Sequence, residues 1–271
     1  MRPLAPLAAA HSVADRAVPF EAFFEPTSNI KALRLIDALT PRRGRDVAYA
    51  TPNIHEIEAW FEHVRSLEHD DGEALSVIES LGVESGAFRE RLARAREMPA
   101  WVTHRGLPQM CARLAPYVRT MFVKAGSRGL LVAQRLLGVD SVREWRRAST
   151  DSATTATVVA VGPRGDTGFA LRHFPAFELA EHDIVGVTGA GDNLAGGILA
   201  SLARGLNPAV PADLERIVDL AQRCVRSRRG RAQHRSADTH RHRAAVATLK
   251  SSEAVGDHSP LRSLLPPPAR C

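Results

Sequence analysis

The spacing of apolar and polar residues along the chain predicts strands that alternate with helices. Short apolar runs bounded by glycine or proline are typical of buried strands, and they occupy residues 17–26, 46–53, 120–124, 129–134 and 155–163. Apolar residues spaced three or four positions apart predict helices, at residues 29–39, 54–67, 193–204 and 213–223, with acidic helices up to about residue 98. This alternation favours an α/β fold, with a mostly parallel sheet covered by helices on both faces.

The composition is that of a globular protein with an aliphatic core. Of the 271 residues, 44% are hydrophobic and only 5% are aromatic, so we expect Leu, Val, Ile and Ala to fill the interior. The three cysteines lie far apart and fit neither a metal site nor a disulfide framework, which favours a reducing, cytoplasmic compartment. We find no apolar run of membrane-spanning length and no targeting signal at the N-terminus, and we therefore expect no membrane association.

Most of the positive charge lies in one segment. Residues 224–242 contain six arginines against one aspartate, and thus +5 of the formal net charge of +6. The segment interrupts an apolar helical stripe that runs from 213–223 into residues 243–256, so we expect it to be a disordered insert. It could be a basic arm that binds nucleic acid. We favour the alternative that it is an intron translated in frame, and we expect no nucleic-acid partner.

The stretch VTGAGDNLAGGILASLARG (187–205) places Gly189, Gly191 and the carboxylate of Asp192 at the start of a predicted helix. A helix N-terminus presents unpaired backbone N–H groups and partial positive charge. Thr188, Gly189, Ala190 and Gly191 could therefore cradle a phosphate. Asp192 would repel that phosphate, but it could accept a proton from an attacking hydroxyl. The alternative is that Asp192 simply caps the helix.

Three stretches together resemble the motifs of the ribokinase-like, or PfkB, family of carbohydrate and nucleoside kinases. VTGAGDNLAGGILA is similar to the C-terminal signature of that family. TPNIHEIEAW resembles its NxxE motif, through Asn53 and Glu56. FVKAGSRGLLV resembles its strand–turn–strand, with Lys124, Gly126 and Gly129 at the motif positions. The stretch EPTS, residues 25–28, is closest to the pseudouridine kinase branch, whose fungal members are often fused to a pseudouridine-5′-phosphate glycosidase.

The resemblance implies a ribokinase-like fold and ATP-dependent phosphoryl transfer to a primary hydroxyl of a nucleoside or sugar. Asp192 would be the base, and the N–H groups of residues 189–191 would form the anion hole. Asn53 and Glu56 would order Mg²⁺ and its waters. Lys124, Gly126, Gly129 and Thr188 would contact ATP. Many family members carry Asp-Thr-Thr before GAGD, where this chain has Gly186-Val187-Thr188, so the resemblance leaves a monovalent-cation site open.

The motifs of the substrate half of the family are not found in this sequence. We identify no Gly-Gly substrate motif and no lid hairpins, and we expect residues 17–256 to form the C-terminal part of a kinase domain. Residues 1–16 and 257–271 would be poorly ordered. The competing interpretations are a kinase for another sugar or nucleoside, a non-catalytic fragment or binding module, and a nucleic-acid binder that uses the basic segment.

A consequence of this interpretation is that residues 1–271 should be poorly soluble and inactive on pseudouridine. A kinase positions the acceptor hydroxyl with residues that hold the phosphates and residues that hold the acceptor. Only the residues for the phosphates are recognisable in this sequence. Activity should appear once a substrate-binding half is added and residues 224–242 are removed. If residues 1–271 were soluble and phosphorylated pseudouridine at about 1 s⁻¹ or faster, this expectation would be contradicted.

Overall fold

A computed structural model describes residues 21–26, 28, 33, 39, 47–67, 72–83, 85–95, 98–151, 156–178 and 188–226. Apart from Arg226, these residues belong to one compact unit. Several of the predictions lie outside the described residues. They concern residues 1–16, the strand before residue 21, most of helix 29–39, insert residues 227–242 and the tail 257–271.

The described chain forms a six-stranded open sheet. Its strands are β1 (Phe23–Phe24), β2 (Val47–Ala50), β3 (Val118–Lys124), β4 (Leu130–Leu137), β5 (Thr157–Val161) and β6 (Thr167–Phe174). Their order is β1-β2-β3-β4-β6-β5. The first three strands are parallel, and the pairings from β3 onwards are antiparallel. The sheet is therefore mixed, with its parallel part at the start.

Helices follow or separate most of the strands. They are α1 (Ile54–Leu67), α2 (Gly72–Ser80), α3 (Gly86–Arg94), α4 (Ala100–His104), α5 (Leu107–Leu114), α6 (Val139–Asp151), α7 (Ala190–Ala203) and α8 (211–226). The predicted α/β class is confirmed, and the arrangement is consistent with part of a ribokinase-like fold. None of the helices in the described ranges is long and apolar enough to cross a membrane.

The helices cover both faces of the sheet, as the sequence predicted. Successive side chains of a strand point to opposite faces. In β3, Met121 and Val123 join a core that also contains residues of α1, α3 and α5. Phe122, between them, joins a second core that contains residues of α6, α7 and α8.

Four elements were not predicted from the sequence, namely α4, α5, α6 and β6, and the reason is clear for β6 and α6. Strand β6 is buried at seven of its eight positions and so lacks the polar–apolar alternation of a half-buried strand. Helix α6 is highly charged, and Val142 and Trp145 are the side chains it contributes to the second core. Both elements owe their stability to packing, which a local pattern of apolar residues does not reveal.

Helices α7 and α8 approach each other closely at Gly197. A Cβ atom at Gly197 would lie 2.6 Å from Ala221 Cα, so only glycine permits this contact. Helix α8 continues beyond the predicted end at residue 223 and includes the first three residues of the predicted insert. Val225 packs against the second core, because it extends the helical spacing of Val218 and Ala221.

Candidate functional site

Three strands end at one edge of the sheet and bring distant residues together there. The parallel strands β1, β2 and β3 are followed or ended by Glu25, Asn53 and Lys124, respectively. Lys124 N–H donates to Pro52 O at 2.8 Å, and Asn53 forms an isolated parallel bridge with Lys124. The carboxyl ends of adjacent parallel strands are where open α/β sheets bind ligands, so this edge is the candidate site.

Helix α7 begins at the same edge with a glycine cap. Gly189 is the N-cap, with φ at 75°, and it brings no side chain of its own that could cap this helix. Asp192 lies in the first turn, where a negative charge is stabilised by the helix dipole, and it is exposed. The alternative that Asp192 is the helix cap is therefore wrong in this structure. Thr188 is exposed just before the cap.

At this helix end, Gly191 lies close to the side chains of Lys124 and Glu25. A Cβ atom at Gly191 would lie 3.3 Å from Lys124 Nζ and 3.9 Å from Glu25 Oε1. Lys124 Nζ donates to Glu25 Oε1 at 2.5 Å, and the two side chains are 17% and 23% exposed, respectively. The structure thus places the glycine-rich helix start, the lysine at the end of β3 and the carboxylate after β1 side by side.

Glu25 is a residue of this site whose role the sequence did not reveal. Burial raises the pKa of Glu25; Lys124 opposes that rise, while the nearby carboxylates of Glu56 and Asp192 add to it. Its second oxygen, Oε2, is buried and has no hydrogen-bond partner among the described residues. The available signal was a charged residue, Glu25, directly after an apolar strand. From the sequence, Glu25 was considered only as part of the EPTS stretch.

Asn53 and Glu56 form a reciprocal capping box at the start of α1. Asn53 N–H donates to Glu56 Oε2 at 2.7 Å, and Glu56 N–H donates to Asn53 Oδ1 at 3.0 Å. This arrangement satisfies two backbone donors of the helix N-terminus, so the NxxE spacing has a structural role. Within the described part of the chain, the other carboxylate oxygen of Glu56 makes no hydrogen bond.

The turn between β3 and β4 contains both of its predicted glycines. Gly126 and Gly129 have φ angles of 62° and 94°, respectively. A Cβ atom at Gly129 would lie 2.0 Å from Phe174 O, whereas one at Gly126 would meet nothing within 4 Å. Gly129 is therefore required for packing against the end of β6, while Gly126 borders open space.

Among the described residues, no group of three or more His, Cys, Asp or Glu side chains is arranged to hold a metal ion. Mg²⁺ commonly binds through one or two carboxylates, waters and substrate phosphates. Glu56, with one oxygen left over from the capping box, fits that mode of binding.

His173, in β6, is buried beside the same turn. Its Nε2 pairs with Arg128 O at 2.8 Å, so the neutral ring carries its proton on Nε2, and its ring meets Trp101 edge-on. Burial lowers the pKa of His173 from its ordinary value of 6.5, and the hydrogen bond to Arg128 O only partly offsets this. The neutral imidazole is thus the form that the fold accepts.

We expect His173 to make the fold less stable in mild acid. Because its folded pKa is lowered, the unfolded chain takes up the proton first, and stability falls as the pH drops through 6.5 towards the folded pKa. Urea unfolding between about pH 7.5 and 5.5 should show a slope that His173→Gln reduces. His55→Gln, at a side chain 77% exposed, should leave the slope unchanged. An equal slope in wild type and His173→Gln would contradict this assignment.

Comparison with known proteins finds a partial match to a protein of pseudouridine metabolism. The chain is similar to a pseudouridine-metabolizing bifunctional protein from Schizosaccharomyces pombe, with 28% identity over 123 residues. The match covers 44% of this chain and 16% of that protein, so the chain spans a small fraction of its relative's length. No protein-family model matches the chain.

Proposed function

We propose that this chain carries the phosphoryl-transfer site of an ATP-dependent kinase that acts on a primary hydroxyl of a nucleoside or sugar, most specifically pseudouridine. The observation that carries the proposal is the convergence of the α7 N-terminus, Lys124 and the Asn53–Glu56 pair at one edge of the sheet. The similarity to a pseudouridine-metabolizing protein supports the choice of substrate. Because that relative is bifunctional, we also propose fusion or association with a pseudouridine-5′-phosphate glycosidase.

The chemistry required of such a site is mostly positioning and electrostatic stabilisation. Backbone N–H groups of residues 189–191 would stabilise charge on the transferred group. Gly191 has no side chain, so a phosphate could approach the helix end. Glu25 holds the Lys124 ammonium at that end, where it could pair with a phosphate oxygen. Asp192, exposed in the first turn, would accept the proton of the acceptor hydroxyl.

Magnesium would supply charge neutralisation between the phosphates when it is bound with ATP. Glu56 would hold it through water, using the oxygen that the capping box leaves over, while Asn53 fixes the carboxylate in place. Gly126, Gly129 and Thr188 would lie along the nucleotide. Lys124 and Gly191 complete the phosphate side of the proposed site.

We expect Glu56→Gln to change the magnesium dependence of the reaction more than its substrate dependence. Glutamine retains an oxygen that accepts the Asn53 N–H, so the start of α1 should persist. The negative charge is lost, and the magnesium concentration for half-maximal activity should rise several-fold. The matched control is Glu58→Gln, on the exposed side of the same helix, where the carboxylate pairs with Arg105. An unchanged magnesium titration would restrict Glu56 to its capping role.

The proposed function is tested by transfer of the labelled γ-phosphate of ATP to pseudouridine, uridine and ribose. The assay uses the chain alone and a fusion with the substrate-binding segment of a PfkB family kinase placed ahead of it. Preference for pseudouridine would support the specific proposal, and preference for another acceptor would reassign the substrate. Absence of both ATP binding and transfer in a folded fusion would overturn the kinase proposal.

A further inference from the structure

A cavity lies away from the edge of the sheet that carries the candidate kinase site. It measures about 650 Å³, and its lining includes Val161 at the end of β5 and Gly165 in the following turn. Val161 pairs with Gly168 near the start of β6, whereas Phe174, at the other end of β6, pairs with Leu130 beside the Gly126–Gly129 turn. Six residues of strand separate these positions, or roughly 20 Å. The cavity is therefore distinct from the kinase site.

The walls of this cavity are rich in arginine. Arg91 comes from α3, on one side of the edge strand β5, and Arg143, Arg146 and Arg147 come from α6. Arg91 Nη1 donates to Val159 O at 2.7 Å, which ties its guanidinium to β5, the last strand in the order of the sheet. These four side chains thus converge on one cavity from two helices.

The described residues that line the cavity carry positive charge. The described residues that line it include no acidic side chain. Arg143 pairs with Asp140 at 3.1 Å, at a position that is highly exposed. Within the described ranges, the Arg146 side chain makes no ion pair and no hydrogen bond. Since a guanidinium presents a planar fork of donors that matches phosphate oxygens, the cavity fits an anionic ligand with phosphate chemistry.

The lining also contains an apolar surface. Val139, which is 48% exposed, and the half-buried Val161 contribute to it, whereas Val142 is buried behind them in the second core. An inorganic anion would leave this surface in contact with water, whereas the organic part of a phosphate ester would cover it. The volume falls within the range of about 300 to 1,000 Å³ that is typical of small-molecule sites.

We propose that this arginine cavity, formed by α3, α6 and the end of β5, binds a small organic phosphate such as a nucleoside or sugar monophosphate. The phosphate is held by Arg143 and Arg146. The organic part rests on Val139 and Val161. The site is separate from the one proposed for phosphoryl transfer and does not depend on that function.

The test is protection of arginines from phenylglyoxal in the full chain, mapped residue by residue by mass spectrometry. Uridine monophosphate is the probe, and inorganic phosphate and a single-stranded RNA oligomer are the comparisons. We expect uridine monophosphate to slow modification of Arg143 and Arg146 several-fold and to leave Arg94 unaffected. Arg94 is the matched control because it lies on α3 in an exposed pair with Glu90.

Direct binding of labelled uridine monophosphate gives an independent measurement. Arg146→Gln should weaken binding about tenfold, as expected for the loss of one charge-assisted hydrogen bond. Arg94→Gln should bind like wild type, and Gly191→Val, at the kinase site, should not alter protection of Arg146. Absence of protection, equal protection by inorganic phosphate, or protection by RNA alone would overturn the proposal.

Discussion

Replacing Asp192 by asparagine is expected to lower the rate of phosphoryl transfer by about 10² to 10⁴-fold, the usual contribution of a general base. Asparagine keeps the size of the side chain but cannot take up the proton of the acceptor hydroxyl. Asp192 is exposed in the first turn of α7 and does not cap the helix, so the loss should not arise from unfolding. The rate is measured with labelled ATP and pseudouridine in the fusion that supplies a substrate-binding segment.

Two measurements separate a catalytic role for Asp192 from a general effect of charge at a helix start. ATP binding should largely survive in Asp192→Asn, because the backbone N–H groups remain. The matched control is Asp140→Asn, since Asp140 is also an acidic residue in the first turn of a helix but lies away from the candidate site. Near-normal turnover in Asp192→Asn, or an equal loss in Asp140→Asn, would contradict the role of Asp192 as the base.

The second large effect is expected at Gly129, where alanine should destabilise the fold by more than about 4 kcal/mol. The φ and ψ angles of Gly129, 94° and −139°, lie in a region essentially restricted to glycine. In addition, its Cβ atom would meet Phe174 O at 2.0 Å and Ala176 N at 2.6 Å. Both atoms belong to the backbone, so relief requires separating the turn from the end of β6.

Gly126 provides a control in the same turn. Its φ of 62° also disfavours alanine, but its Cβ atom would enter open space, and we expect a cost of only about 1–2 kcal/mol. Urea unfolding of both variants measures the difference in free energy. Equal losses would show that the backbone conformation, rather than the contact with β6, makes Gly129 necessary.

Local sequence patterns predicted those elements whose stability is itself local. Helix α1 begins and ends where the spacing of apolar residues placed it, because Asn53 and Glu56 cap it and an apolar stripe faces the core. The start of α7 was predicted three residues late, at Asn193 rather than Ala190. The glycines that mark it serve as the cap and first turn rather than as a preceding loop.

The site was predicted in its parts but not as an arrangement. Lys124, Gly191 and the Asn53–Glu56 pair were identified separately from motifs. Their proximity, however, follows from the sheet order, since Glu25 and Lys124 are 99 residues apart in the chain. The partnership of Glu25 with Lys124 has no local signature. It requires β1, β2 and β3 to end at the same edge.

The sequence by itself determined the α/β class, the bounds of α1 and, to within three residues, the start of α7, because these depend on patterns within a few residues. Only the tertiary structure decided the mixed pairing of the sheet, the burial of His173, the Glu25–Lys124 contact beside Gly191 and the arginine cavity beside β5. Each of these joins segments that are distant in the chain. Their energies arise from burial and charge in the assembled fold, where side chains meet partners that no local pattern specifies.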